Sequence, residues 1–145
     1  LHAAGPVAAD RALHPRRLTR RPHTGDIRLS YMLLIIEKPG DRESRSEAEG
    51  RALYQQMLDY SAELKSRGLL TQSQALRTDA VGARVQVRDG KRALVDGPFA
   101  EAKEMVGGFF LLTCDSRAQA IEIAAACPAA QWATVEVREL GPCFT

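Results

Sequence analysis

The stretch Val95-Asp96-Gly97-Pro98-Phe99-Ala100-Glu101-Ala102-Lys103-Glu104 connects two parts of the chain that differ in pattern. Its Asp-Gly-Pro sequence is a turn signal, because glycine relaxes the backbone and proline fixes φ. On its N-terminal side, Asp89-Gly90 predicts a type I′ turn between two hairpin strands. On its C-terminal side, Gly107-Gly108 precedes the apolar block Phe109–Leu112, which predicts a buried strand. We therefore expect a hairpin, a proline-containing turn and a buried strand in that order.

The segment before the hairpin predicts a strand, a helix and a second strand. Tyr31–Glu37 is a nearly continuous apolar run, which is typical of a buried strand. Ser46 with Glu49 forms a capping-box pattern that predicts a helix start, and Gly68 predicts its end. Leu69–Leu76 follows as the second strand. One face of the predicted helix carries four large side chains: Leu53, Met57, Tyr60 and Leu64.

Two further elements are predicted after the buried strand. Ser116 with Gln119 repeats the capping-box pattern and predicts a second helix. Thr134–Leu140 alternates apolar and charged residues, which is typical of a half-buried strand. The resulting order, β-α-β-(hairpin)-β-α-β, is the ferredoxin-like α+β arrangement, with two helices on one face of an antiparallel sheet. Because Phe109–Leu112 is apolar on both faces, we expect a second sheet against the open face, supplied by a homodimer.

Charge and cysteine content narrow the classes of protein that fit. Residues 32–145 carry fourteen Lys and Arg against sixteen Asp and Glu, and this acidic balance argues against broad nucleic-acid binding. The cysteines at 114, 127 and 143 form no C-x-x-C spacing, which favours reduced thiols and a cytoplasmic location. The apolar run Met32–Ile36 is too short to cross a membrane, which takes about 20 residues. We expect no metal and no cofactor.

Residues 1–30 are predicted to form a basic N-terminal extension to a domain at residues 31–145. Residues 1–31 carry six Arg and two Asp, and they lack a sustained apolar period. Three prolines, Pro6, Pro15 and Pro22, interrupt any targeting helix. We favour an extension upstream of a natural start near Met32 over a basic arm that binds nucleic acid or a partner.

The segment after the hairpin holds four titratable side chains: Asp96, Glu101, Lys103 and Glu104. Carboxylates that are close together and partly buried have raised pKa values and can perform acid–base chemistry. In the structural alternative, Asp96 caps a turn, Pro98 fixes the backbone and Phe99 packs into the core. The residues alone leave both interpretations open.

Four segments together resemble the YCII-related proteins of the DGPF type, from Tyr31 to about Leu140: Tyr31-Met32-Leu33-Leu34, residues 96–104, Gly107-Gly108-Phe109 and Glu136-Val137-Arg138. The resemblance implies a dimeric α+β barrel, in which two ferredoxin-like units join their sheets face to face. It also implies an association with sigma factors, and it implies no single activity. The chain departs from the family pattern at two positions. Where relatives carry a His on the first helix and an Asp before a proline, it carries Met57 and Cys127.

Two functions are consistent with these observations. The first is a small dimeric module that binds a small molecule or has a regulatory role. The resemblance implies a link between this module and sigma-factor-dependent transcription. The alternative is a small enzyme in which Asp96 and Glu104 perform acid–base chemistry, since residues 32–145 contain no His. In either case, we expect ligand contacts from four neighbouring residues: Pro98, Phe99, Glu101 and Lys103.

Overall fold

The computed structural model describes residues 28–144, so most of the predicted extension at residues 1–30 lies outside it. Six strands, two helices and two short 3₁₀ helices make up the described part of the chain. In chain order they are β1 (Leu29–Glu37), α1 (Glu47–Ser66), β2 (Leu70–Ala75), the 3₁₀ helix Asp79–Val81, β3 (Ala83–Arg88), β4 (Lys91–Asp96), β5 (Met105–Cys114), α2 (Arg117–Ala125), the 3₁₀ helix Pro128–Gln131 and β6 (Thr134–Glu139).

The main sheet has four strands in the order β2-β5-β1-β6, and all its pairings are antiparallel. Strands β1 and β5 lie at its centre, and each of α1 and α2 connects strands of this sheet. This is the predicted ferredoxin-like α+β arrangement. The hairpin of β3 and β4 forms a separate two-stranded sheet, inserted between β2 and β5.

Alternate residues of the central strands separate the two faces of the sheet. Leu33 pairs with Phe110 on the face that α1 and α2 cover, and both side chains are buried. Leu34 pairs with Phe109 on the opposite face, where both are only partly buried. The block Phe109–Leu112 therefore places apolar side chains on both faces, as predicted. Burial of the covered face supplies the main stabilisation, at about 25 cal/mol per Å² of apolar surface.

The start of α1 follows the sequence signal, whereas the start of α2 differs from it. The Ser46 hydroxyl accepts from the Glu49 amide, and the Glu49 carboxylate accepts from the Ser46 amide, so the predicted capping box forms. At α2, the Ser116 hydroxyl accepts from the Gln119 amide, but the Gln119 side chain accepts from the Asp115 amide. The second capping box is therefore incomplete, because the side-chain oxygen bonds one residue further upstream.

Gly107-Gly108 lies inside β5, whereas the sequence placed it before the buried strand. A Cβ on Gly107 would lie 2.5 Å from the Glu37 Cδ, and one on Gly108 would lie 2.8 Å from the Gln74 carbonyl oxygen. Both contacts are too close for any side chain. The glycines therefore extend the strand by letting neighbouring groups approach its backbone closely.

The hairpin forms the predicted turn but stays outside the core. Asp89 and Gly90 have positive φ values of 52° and 72°, as a type I′ turn requires. Every residue of β3 and β4 is exposed. Its apolar side chains include Val85, Val87 and Leu94, so one face of the hairpin is an uncovered apolar surface.

Candidate functional site

A cavity of about 440 Å³ lies between α1 and the main sheet; we call it the helix–sheet cavity. Side chains from α1 form one wall, and residues of β1, β2 and β5 form the other. The loop between β1 and α1 bounds one end, and the segment around the second 3₁₀ helix contributes Ala129 and Trp132. The cavity thus draws on six segments of the chain, which extend from β1 to the second 3₁₀ helix.

Most of the helix–sheet cavity wall is apolar or aromatic. On α1, Leu53 and Met57 face the cavity, whereas Tyr60 and Leu64 of the same predicted face are buried in the core. The apolar face of α1 therefore extends beyond the part that packs in the core, and its N-terminal half lines the cavity. Three aromatic side chains complete the wall: Tyr54, Phe110 and Trp132.

An ion pair lies at the end of the helix–sheet cavity. The Arg42 Nε donates to Glu37 Oε2 at 2.8 Å, and the Arg42 Nη2 donates to Glu37 Oε1 at 3.2 Å. The guanidinium also donates to the carbonyl oxygens of Leu76, at 2.6 Å, and Gly107, at 3.0 Å. The Glu37 side chain is 10% exposed and that of Arg42 is 28% exposed. The pair therefore links β1, the end of β2 and β5 at one largely enclosed point.

The helix–sheet cavity contains further polar groups beside this pair. The hydroxyls of Ser61 and Ser73 lie 3.4 Å apart across it. Arg45 also lines the cavity and is half-buried. Among residues 28–144, no hydrogen bond or ion pair engages its guanidinium, in contrast to that of Arg42. A ligand in the cavity would therefore meet an apolar surface, two hydroxyls and one unpaired cation.

The predicted site residues lie elsewhere. None of the six lines the helix–sheet cavity: Asp96, Pro98, Phe99, Glu101, Lys103 and Glu104. The carboxylates of Asp96, Glu101 and Glu104 are all exposed, and the described part of the chain shows no ion pair among them. None of the three carboxylates is enclosed, and the catalytic role assigned to Asp96 and Glu104 stays a prediction.

The residues Asp96-Gly97-Pro98-Phe99, which we call the DGPF turn, lie instead at the base of the hairpin. The Gly97 amide donates to the Gly82 carbonyl at 2.8 Å, and a Cβ on Gly97 would overlap the Asp79 carbonyl oxygen. The Gly97–Pro98 peptide bond is cis. The Arg84 guanidinium lies 4.0 Å from the centre of the Phe99 ring, a cation–π contact. Phe99 is half-buried under this cation and is not part of the core, so the prediction that it packs into the core is wrong. The close backbone contacts of Gly97 still favour a structural role for the turn.

Two buried groups near the helix–sheet cavity hold their protons tightly. Desolvation by burial raises the pKa of Tyr60, whose hydroxyl donates to the Ile123 carbonyl. Burial likewise raises the pKa of the Cys127 thiol. Neither group is therefore suited to act as a base near neutral pH. Within residues 28–144, no three His, Cys, Asp or Glu side chains are placed to hold a metal ion.

Several cavity residues were missed by sequence reasoning. Arg42 and Arg45 lie in a loop that has no hydrophobic periodicity. The one local signal is that Arg45 directly precedes Ser46, the N-cap residue of α1. Ser61 follows Met57 by four residues, so it lies on the same helical face and could have been predicted from the spacing. Trp132 packs against the core and also lines the cavity.

The resemblance, in contrast, led to the region of the helix–sheet cavity. Met57, at the position where the resemblance implies a His, lines it. Cys127, the other departure, is buried at the start of the 3₁₀ helix that borders it. The His–Asp pair of the family pattern is therefore replaced here by a thioether and a buried thiol.

Comparison with known proteins agrees with this fold. A search of curated proteins finds no match to the chain. In the described residues, no helix is both long and apolar enough to cross a membrane. The profile of the YCII-related domain family matches residues 29–143, which is most of the chain and includes every element described above. The chain therefore belongs to the YCII-related family.

Proposed function

We propose that this YCII-related protein binds a small organic molecule in the helix–sheet cavity. The observation that carries the proposal is the cavity itself, whose volume of about 440 Å³ lies within the range of ligand sites, roughly 300 to 1,000 Å³. Such sites combine a mainly apolar wall with a few polar groups that orient the ligand. Here, Ser61, Ser73 and Arg45 supply those groups.

A neutral fluorescent probe tests this proposal. N-phenylnaphthylamine gains fluorescence when it enters an apolar pocket, so titration of the purified chain should give saturable binding. Met57→Trp places a larger ring in the helix–sheet cavity and should abolish most of this signal. The matched control is Gln56→Trp, on the exposed face of the same helix, which should bind as the parent does. Equal binding by both variants would contradict the proposal.

We also propose that the protein is a homodimer in which the open faces of two main sheets pack together. Met32, Leu34, Phe109 and Leu111 form an apolar patch on the face that the helices leave uncovered. Beside it on β6, Glu136 and Arg138 lie 3.5 Å apart. A two-fold axis that crosses the strands at right angles, at the level of Leu33 and Val137, would place each of these charges near its opposite on the second copy. This arrangement favours a self-complementary interface.

Sedimentation analysis tests the dimer. Leu34→Glu should convert it to a monomer, because a carboxylate would be buried without a partner in the apolar patch. Ile121→Glu is the control, because Ile121 is 38% exposed on α2, away from the patch. Far-UV circular dichroism establishes that both variants are folded. A dimeric L34E, or a parent that is monomeric at micromolar concentration, would overturn this proposal.

The finer functional predictions have different support. The link to sigma-factor-dependent transcription rests on the family resemblance, and a pull-down from the native host tests it. The enzymatic alternative rests on Asp96 and Glu104, which are exposed. In the described part of the chain, the one carboxylate that lines the helix–sheet cavity is that of Glu37, and Arg42 engages both of its oxygens. This arrangement favours binding over acid–base chemistry.

A further inference from the structure

We infer that the ligand of the helix–sheet cavity is a ring-bearing organic anion whose carboxylate or similar acidic group binds Arg45. This inference rests on the proposed function, because it names the chemical class of the molecule that would occupy the cavity. It is carried by the balance of charge within the cavity wall and by the position of one unpaired guanidinium.

The charges of the wall do not cancel. Among residues 28–144, three charged side chains line the helix–sheet cavity: Glu37, Arg42 and Arg45. The first two neutralise each other through two hydrogen bonds, and Arg42 has further acceptors in the carbonyl oxygens of Leu76 and Gly107. The net charge of the wall is therefore that of Arg45, a single positive charge.

Arg45 differs from the arginines that the fold itself uses. Arg42, Arg51 and Arg138 each form an ion pair with a glutamate. Arg45 is half-buried, yet its side chain reaches no acceptor among residues 28–144. The donors of its guanidinium are therefore open to an acceptor that enters the cavity. A bound carboxylate would engage them through two parallel hydrogen bonds in the geometry that arginine favours.

The remaining side chains of the cavity wall indicate that the rest of the ligand is apolar and aromatic. Tyr54, Phe110 and Trp132 present aromatic surface, and Leu53 and Met57 present aliphatic surface. A flat ring system would bury apolar area against these side chains. A fully hydrophilic anion, such as inorganic phosphate, would gain the contact with Arg45 but would leave this apolar wall without a partner.

Two probes with the same ring skeleton separate the contribution of the acidic group to binding from that of the rings. Anilinonaphthalene sulfonate carries one acidic group, and N-phenylnaphthylamine is its uncharged parent. The parent protein should bind the sulfonate about tenfold or more tightly than the amine, the difference expected for one charge-assisted contact. Arg45→Met should remove that preference while leaving the affinity for the amine nearly unchanged. Arg45→Lys should retain part of it, because it keeps the charge but loses the planar fork.

The control variant is Arg51→Met, which removes an exposed arginine of α1 outside the helix–sheet cavity. It should keep the full preference for the sulfonate. Saturable binding of the amine with no preference for the sulfonate, or a preference that survives in R45M, would overturn this inference while leaving the proposed function intact. Failure of both probes to bind, or unaltered binding by Met57→Trp, would overturn the proposed function itself.

Discussion

Arg42 and Glu37 form a two-contact ion pair at the end of β1, with Arg42 Nε 2.8 Å from Glu37 Oε2 and Nη2 3.2 Å from Oε1. Gly107 lies directly beside the pair, so close that a Cβ there would be 2.6 Å from the Glu37 Oε1. The two residues therefore hold the loop before α1 against β5. In this way they set the end wall of the helix–sheet cavity and the position of Arg45 three residues later.

Loss of Arg42 should destabilise the fold. Arg42→Met leaves the nearly enclosed Glu37 carboxylate without its counter-ion, so we expect the free energy of unfolding to fall by about 2–4 kcal/mol. Arg51→Met breaks the fully solvated pair with Glu47, and it should cost less than about 0.5 kcal/mol. Urea unfolding followed by Trp132 fluorescence measures both. Equal effects of the two variants would show that the Arg42 pair is energetically equivalent to a surface pair.

Gly107→Ala tests the close packing beside the ion pair. The added methyl group would meet the Glu37 carboxylate and the Arg42 guanidinium, at 2.5 and 2.7 Å, so it should destabilise by about 1–3 kcal/mol. Gly50→Ala is the control, since a Cβ there has open space within α1, and it should stabilise by up to about 1 kcal/mol. The measurement is again urea unfolding. A neutral G107A would mean that the pair moves aside at no cost.

Gly97→Ala tests the structural interpretation of the DGPF turn. Its methyl group would overlap the Asp79 backbone, so the base of the hairpin must open. Because an isolated two-stranded hairpin has little stability of its own, we expect amide hydrogen exchange in β3 and β4 to become much faster. Exchange in β1 and β5 should change little. Asp96→Asn, which keeps the backbone contacts, should leave the hairpin protected; loss of protection in D96N alone would assign the role to the carboxylate instead.

Two measurements test the burial of the cysteine thiols: their reactivity and the stability of the fold at alkaline pH. Cys114 and Cys127 are buried and Cys143 is exposed, so a thiol reagent should modify one cysteine rapidly and the other two only after unfolding. Burial raises the pKa of Cys114 and Cys127 above the usual value of 9.0. The unfolded chain therefore loses these protons first, and stability should be retained below pH 9 and decline above it. Rapid modification of all three cysteines at neutral pH would contradict this burial.

Local signals predicted much of the fold. The capping box of Ser46 and Glu49 and the Asp89-Gly90 turn depend on residues close in sequence, and both form as predicted. The continuous apolar block Phe109–Leu112 predicted a strand that is apolar on both faces. The incomplete box at Ser116 differs because Gln119 can reach either of two neighbouring amides, and spacing alone does not distinguish them.

The candidate site was harder to predict, because it is assembled over long sequence separations. Arg42 meets a carbonyl of Gly107, which is 65 residues away, and nothing local to either residue indicates the contact. Leu53 and Met57 share a helical face with Tyr60, yet the first two line the helix–sheet cavity and Tyr60 lies in the core. Which of these side chains reaches the core and which lines the cavity depends on elements from the whole chain and not on the helical pattern alone. The sequence of the DGPF turn indicated the family, but the turn itself lies at the base of the hairpin and not at the cavity.

Mapping the bound probe tests the central claim, that the ligand site is the helix–sheet cavity, most directly. Backbone amide chemical shifts of the protein are recorded during titration with anilinonaphthalene sulfonate. We expect saturable shifts concentrated at Tyr54, Ser73 and Gly108, and little change at Gly97 and Lys103. Shifts concentrated at residues 96–104, with those around the cavity unchanged, would contradict the account and would place the binding site at the DGPF turn.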